Sequence, residues 1–357
     1  IKKKLNNPNK IYIFFFSCVL FINIFLYTSV NANSFIVSDV EISEPFELNF
    51  DKEKVIDKGF QEAFIQLIST ITTSGDRKKI KNTKLKTIKG LIDSFTMSNE
   101  RFINNNYYVN FDVNFNKKNT LYFMEKKNIF PSIPQKKNLL LLPILVDIQQ
   151  DKISLFSNNV FYDQWNNNIK KFYLLNYLLP NEDIEDVDLL LQNSESIEDY
   201  DFKETIKKYD LNDFIIAIIY KNNNELRILS KIKINQFYKI NNLTYKDINL
   251  SNQEKLEQVI HNLKTSYENY WKSINQINTS IKLPLTLLID AKDHQKIQKL
   301  ESVLNDTDLV SSFDILKLNN KKVHYKIIYN GSPNQFLNDL KNKNVIVINE
   351  EQIWEVQ

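Results

Sequence analysis

The sequence predicts an α+β protein of three units behind an apolar N-terminal segment. Three observations carry this. From Asp51, apolar residues recur every three or four positions, the period of a helix packed on one face. Over 107–115 apolar and polar residues alternate strictly, the period of a half-buried strand. The run LLLLPILVDI, residues 139–148, is apolar throughout and bounded by polar segments, as in a strand buried on both faces of an α/β sheet.

The first element is N-terminal. Lys2, Lys3, Lys4 and Lys10 precede the run IYIFFFSCVLFINIFLYTSV, which ends at Val30-Asn31-Ala32. A basic start, an apolar middle and small residues at −3 and −1 predict a secretory signal peptide over residues 1–32, cleaved after Ala32. The alternative is an inner-membrane anchor over residues 11–30, because the run approaches the ~20 residues that span a bilayer. Asn23 interrupts it, which favours cleavage. Removing the segment takes the formal net charge from +3 to −1, since it holds four lysines and no acid. It also removes Cys18, the single cysteine. An exported chain without thiols cannot lean on disulfides and must be held by its core. The apolar run continues past Cys18, which argues against lipid attachment there.

Next comes a helix from Asp51, its N-cap, through Val55/Ile56, Phe60, Ala63/Phe64, Leu67/Ile68 and Ile71. Leu85, Ile88, Leu91/Ile92 and Phe95 extend a second helical stripe through a lysine-rich segment. The strand over 107–115 pairs through a turn at Asn104–Asn106 with the strand before it. A short helix near Leu121–Glu125 closes an N-terminal α+β domain, residues 33–130. Pro131 and Pro134 mark a linker over 131–137. A central α/β domain follows, 138–280: the apolar strand, a helix over Phe161–Tyr177, an acidic tract, a helix near Phe202–Lys208, a hairpin across Asn222–Asn224, and a long helix over Gln253–Ile277. Residues 281–357 read strand, helix, strand, strand, helix, strand. That βαββαβ order is the ferredoxin-like pattern, which settles architecture and not function.

Together these features resemble a bacterial family designated domain of unknown function 2066. The residues that carry the resemblance are DKGFQEAFIQLISTIT leading to Ser74-Gly75, the strand YYVNFDVNF, the opening strand LLLLPILVD, Trp165, and the tract Leu179-Pro180-Asn181-Glu182-Asp183-Ile184-Glu185-Asp186. The family usually shows Leu-Thr-Gly where this chain has Ile71-Thr72-Thr73-Ser74-Gly75. The central domain is also similar to the N-terminal domain of TolB-like proteins and to flagellar accessory domains. The resemblance implies a Gram-negative envelope protein and supplies no catalytic residues.

Motifs exclude more than they propose. Four glycines, Gly59, Gly75, Gly90 and Gly331, compose neither a P-loop nor a GxGxxG turn. His261, His294 and His324 lie far apart and outside any metal-ligand spacing, and no GxSxG elbow occurs. The one dense carboxylate cluster is Glu182, Asp183, Glu185, Asp186 and Asp188. It reads first as a solvated helix start with Asn181 as cap, the acids lying at the positive end of the dipole. The sharper reading is an acid/base or metal site of a hydrolase built on Asp183 and Asp186. Trp165 is a packing residue by its position on a helix, and a third functional candidate. Arg77, Lys78, Lys79, Lys81 and Lys84 open a basic run suited to an anionic surface, or simply to water. Nucleic acid fits poorly with an exported chain of net charge −1. The expectation is therefore an exported, non-enzymatic envelope protein that binds a protein partner or the membrane surface, without catalytic residues, cofactor or metal.

Overall fold

The computed structural model describes residues 35–167, 169–350 and 353–357, and the segment read as signal peptide or anchor lies outside them. The described chain is mixed α+β, with three separate sheets.

The first sheet combines β1 (Ile36–Pro45), β2 (Ile92–Ile103) and β3 (Asn106–Phe115) in the order β1-β3-β2, all antiparallel. Its cover is α1 (Lys52–Ile71), whose Asp51 cap accepts from Glu53 N at 2.9 Å. The predicted stripe points inward: Val55, Phe60, Phe64, Leu67 and Ile68 meet Tyr107, Val109, Phe111, Val113 and Phe115 in one core. Gly59 is what lets helix and sheet approach, since a Cβ there would lie 2.8 Å from the Phe111 ring. The expected second helix is a correction. Two short helices, α2 (Ser74–Ile80) and α3 (Leu85–Lys89), replace it, and Ile92 and Phe95 instead enter β2 opposite Phe115 and Val113. The open edge of β3 outweighs helical spacing there. Helix α4 (Lys117–Glu125) ends the unit.

The hairpin turn Asn104-Asn105 has φ of 49° and 59°, as type I′ turns require. All twelve described non-glycine residues with positive φ are Asn or Asp, and no glycine has positive φ. Their short polar side chains tolerate the left-handed region, which is how a chain with four glycines makes so many tight turns.

The segment over 131–137 is no free spacer. Ser132 N donates to Ile71 O at 2.7 Å and Ile277 N to Pro131 O at 2.7 Å, tying the first unit to the second. The second sheet centres on β4 (Lys137–Asp147), buried on both faces as expected. Strand β5 (Lys152–Ser154) pairs antiparallel with its end. Helix α5 (Val160–Gln164) is one turn long, correcting the helix expected over Phe161–Tyr177. The chain instead forms β6 (Leu175–Leu178), parallel to the start of β4. Next come α6 (Ile184–Gln192), a 3₁₀ turn (Ser194–Ser196) and α7 (Lys203–Lys207). Strand β7 (Phe214–Asn222) runs parallel to β4, and β8 (Glu225–Ile234) and β9 (Phe237–Tyr245) complete an antiparallel meander. Strand β9 is an addition to the predicted hairpin; in its FYKINNLTY sequence the adjacent Asn241 and Asn242 break the apolar–polar alternation that would mark a strand. Helix α8 (Gln253–Ile274) covers one face, and α6 and α7 cover part of the other.

The third sheet has the order β11-β12-β10-β14-β13, from β10 (Leu283–Asp290), α9 (His294–Asn305), β11 (Val310–Leu318), β12 (Lys322–Tyr329), α10 (Pro333–Asn342), β13 (Val347–Glu350) and β14 (Ile353–Val356). The expected βαββαβ order gains a strand. The last predicted strand, β13, sits at the outer edge and folds back into β14, which pairs parallel with β10 through Leu287 and Leu288. A separate core of Leu287, Ile289, Leu300, Tyr325, Ile327 and Phe336 holds this unit.

Candidate functional site

The acidic tract forms the first turn of α6. Asp183, and not Asn181, is the cap: its Oδ1 accepts from Glu185 N at 2.9 Å. Asp186 is 1% exposed, and its Oδ1 accepts from Lys208 Nζ and Thr205 Oγ1, both at 3.0 Å. The same Lys208 ammonium donates to Asp183 at 2.6 Å. That hydrogen bond holds the Asp183 carboxyl below its ordinary range, and the two acids together push Lys208 up. The corner is thus a lysine-neutralised latch joining α6 to the end of α7. The cation that the acids could have recruited is already supplied by the chain. Among the described residues no group of three or more His, Cys, Asp or Glu could hold a metal ion.

Trp165 is fully buried, stacked on Tyr267 at 6.2 Å and edge-on to Tyr177 at 5.4 Å. Beside it runs a polar stripe on α8 that the spacing i, i+4, i+8 could have announced: Lys264, Glu268, Lys272. Each buried charge serves an orphan backbone group. Lys264 Nζ donates to Trp165 O, where α5 stops; Glu268 Oε1 accepts from Leu174 N and Leu175 N at 2.9 and 2.8 Å. Lys272 Nζ donates to Ser69 O in the last turn of α1. Cations at helix C-termini and an acceptor at unpaired amides are what those groups need. Burial lowers both lysines to about 8 and raises Glu268. A cleft of about 420 Å³ opens here, where Tyr173 Oη meets His261 Nδ1 at 2.9 Å.

The basic run divides. Arg77 is half-buried, donates to Ser69 Oγ at 3.1 Å and lies 6.0 Å from the centre of the Phe172 ring. It fastens α2 to the central unit. Lys79 pairs with Asp76 at 2.7 Å, while Lys78, Lys81 and Lys84 are exposed. The run does not form one continuous cationic face.

A stronger cationic surface lies on the central sheet, and sequence reasoning missed it together with β9. The core cluster under α6 and α7 includes residues of β4 and β7 and Leu229 of β8, but none of β9. On this side the register aligns Arg227 with Thr244, Leu229 with Asn242, Lys231 with Ile240 and Lys233 with Tyr238. Arg227, Lys231 and Lys233 stand on this face of the two strands, with Glu225 at the far end of β8, and Arg227 is paired with Glu198 at 3.1 Å. Tyr238 and Ile240 are 56% and 60% exposed. Lys231 Nζ lies 5.9 Å from the Phe202 ring centre and Lys233 Nζ 5.7 Å from that of Phe214. Aromatic faces orient these ammoniums without neutralising them. Between this shelf and α7 runs a groove of about 500 Å³, with Phe202, Ile206, Phe214 and Ile216 as apolar lining and Lys203 and Lys207 on its other wall. Lys203 pairs with Asp201. Lys207, Lys231 and Lys233 pair with no carboxylate among the described residues.

No described helix is long and apolar enough to cross a membrane. Neither a family model nor a curated protein matches this chain.

Proposed function

We propose that this is a non-enzymatic binding protein of the cell envelope that contacts anionic lipid headgroups through the shelf formed by β8 and β9. The observation that carries the reading is the pairing of Lys231 with exposed Ile240 and of Lys233 with exposed Tyr238, beside the part of this sheet face that α6 and α7 cover. Unpaired ammoniums attract anionic headgroups, and an aromatic ring and an aliphatic side chain enter the interface beside them. The basic N-terminal segment ending at Ala32 and the resemblance to domain of unknown function 2066 support an exported protein. The resemblance to TolB-like domains agrees with the mixed sheet around β4, and the ferredoxin-like reading of the last unit agrees with its β11-β12-β10 order. The hydrolase reading at Asp183 and Asp186 draws no support from a corner filled by Lys208.

Lys207, Lys231 and Lys233 at ~1 kcal/mol each amount to about 3 kcal/mol, or roughly a hundredfold in partitioning at low salt. Flotation with phosphatidylcholine vesicles containing increasing phosphatidylglycerol tests this. Binding should rise with anionic content, fall as salt screens it, and be lost in K231E/K233E while a Lys78/Lys81/Lys84 neutral variant keeps most of it. Equal loss in both variants would move the contact to the basic run. No vesicle binding at low salt would reject the lipid reading in favour of a protein partner.

A further inference from the structure

The third sheet ends on an open strand. Strand β11 lies outermost in the order β11-β12-β10-β14-β13, so one row of its backbone N–H and C=O groups has no partner strand among the described residues. Helix α4 packs beside its start, where residues 311–313 are half-buried, but residues 314–318 are all exposed. Ile315, Leu316 and Leu318 are 55%, 61% and 68% exposed. A strand edge that is both open and apolar pairs readily with another chain, and natural proteins usually blunt such an edge with charge.

The charges on this edge are of both signs and arranged about a centre. The segment reads Phe313-Asp314-Ile315-Leu316-Lys317-Leu318. Across in β12, Phe313 and Leu318 align with Ile327 and Val323, both buried, so they lie on the core side of the sheet. Asp314 and Lys317 align with Lys326 and His324 and lie on the other side. In a regular strand, residues three apart point to opposite faces. Here the register shifts between Ile315 and Lys317, so Leu316 is the extra residue of a bulge and the two charges share a face. Neither Asp314 nor Lys317 makes an ion pair or a side-chain hydrogen bond with a described residue.

We propose that β11 pairs antiparallel with β11 of a second copy of this chain, continuing the sheet across a two-fold axis between Ile315 and Leu316. In that register Phe313 meets Leu318 of the second copy, Asp314 meets its Lys317, and Ile315 meets its Leu316. The charged pair stays on one side of the sheet and the Phe313–Leu318 pair on the other. Symmetry makes each pair twice, so two opposite-charge pairs flank an apolar centre. Opposite charges directly across a ladder stabilise it, and like charges oppose it. A closed two-fold contact needs one patch that complements itself, which the order of these six residues supplies. A strand from an unrelated protein would place no such demand on it. Six residues make a small interface, so the dimer is weak, with a Kd on the order of 10–100 μM. The strand shares no residue with the lysine shelf, and the pairing stands independently of the lipid reading.

Sedimentation equilibrium of the full chain from about 2 to 200 μM, a range that brackets that Kd, tests this. The mass should rise with concentration from 42.3 kDa towards twice that value. D314K sets cation against cation twice and K317D sets anion against anion twice, so each should raise the Kd at least about tenfold. Lys326 stands across β12 from Asp314, so D314K also adds repulsion within the chain. K317D does not, and its melting temperature should hold. In an equimolar mix the D314K chain offers two cations and the K317D chain two anions, so a heterodimer should form at least as tightly as the unaltered dimer. A monomer throughout, a dimer that either variant leaves intact, or a mix that stays monomeric would overturn the proposal.

Discussion

Removing the Lys208 ammonium should expose what the acidic corner is for. Asp186 is 1% exposed and keeps two hydrogen bonds, one from Lys208 and one from Thr205. In Lys208→Met the carboxylate stays buried with only the threonine, the situation that typically costs 3–5 kcal/mol. Lys208 is itself 35% exposed, so water reaches part of the space it leaves. The expected loss is therefore near the lower end, about 3 kcal/mol. Asp186→Leu removes the buried charge and orphans the Thr205 hydroxyl, at a cost of about 1–2 kcal/mol. In the double variant the lysine has no buried acid to serve, so K208M added to D186L should cost under about 0.5 kcal/mol. Urea unfolding at pH 7, followed by tryptophan fluorescence because Trp165 lies in the same unit, measures all three. A K208M cost below about 1 kcal/mol, the value of a surface pair, would refute the latch. So would equal K208M costs in both backgrounds. Stabilisation of the unaltered protein by calcium or magnesium, lost in Asp186→Asn, would instead restore the metal-site reading.

Other outcomes follow from particular contacts. Asn159 is fully buried, caps α5 through Phe161 N and donates to the carbonyls of Pro143, Ser154 and Leu155. Asn159→Ala should cost about 3 kcal/mol by urea titration, since a cap and several buried carbonyls are orphaned together. Gly59→Ala should cost about 1–3 kcal/mol, because its Cβ would press on the Phe111 ring; calorimetry against the harmless Gly75→Ala checks it. Stability should depend on pH at both extremes. Below pH 4 it should fall as Asp183, Asp147 and Asp293, held low in the folded state mainly by hydrogen bonds, take up protons. Between about pH 8 and 10 it should rise, because Lys117, Lys264 and Lys272, lowered to about 8 by burial, release protons that the unfolded chain retains. A melting temperature that falls steadily over that alkaline window would contradict this assignment of buried lysines.

Several elements were legible because a single physical period dominated them. Asp51 capping α1, the buried alternation of β3 and the doubly buried β4 all follow from hydrophobic spacing. Elements failed where two periods competed or where a distant partner decided. The 161–177 segment has helical spacing, yet Lys264 terminates the helix at Trp165 and the edge of β4 recruits Leu175–Leu178. In the acidic tract, sequence located the helix start but placed the cap two residues early. Asp183 won because its side chain reaches Glu185 N while Lys208 holds its other oxygen.

By itself the sequence determined the mixed α+β class, the order of most elements, the lack of glycine-rich phosphate loops, and an N-terminal segment with the marks of export. These depend on local spacing and composition, which need no partner. Only tertiary structure decided which charges are neutralised and which are left unpaired. Lys208, Lys231 and Lys272 are alike in sequence, but one closes an acidic corner, one meets a carbonyl and an aromatic ring with no carboxylate partner, and one is buried against a helix end 203 residues away. A lysine's role follows from the dielectric and the acceptors around its ammonium, and the long-range packing of the sheets sets both.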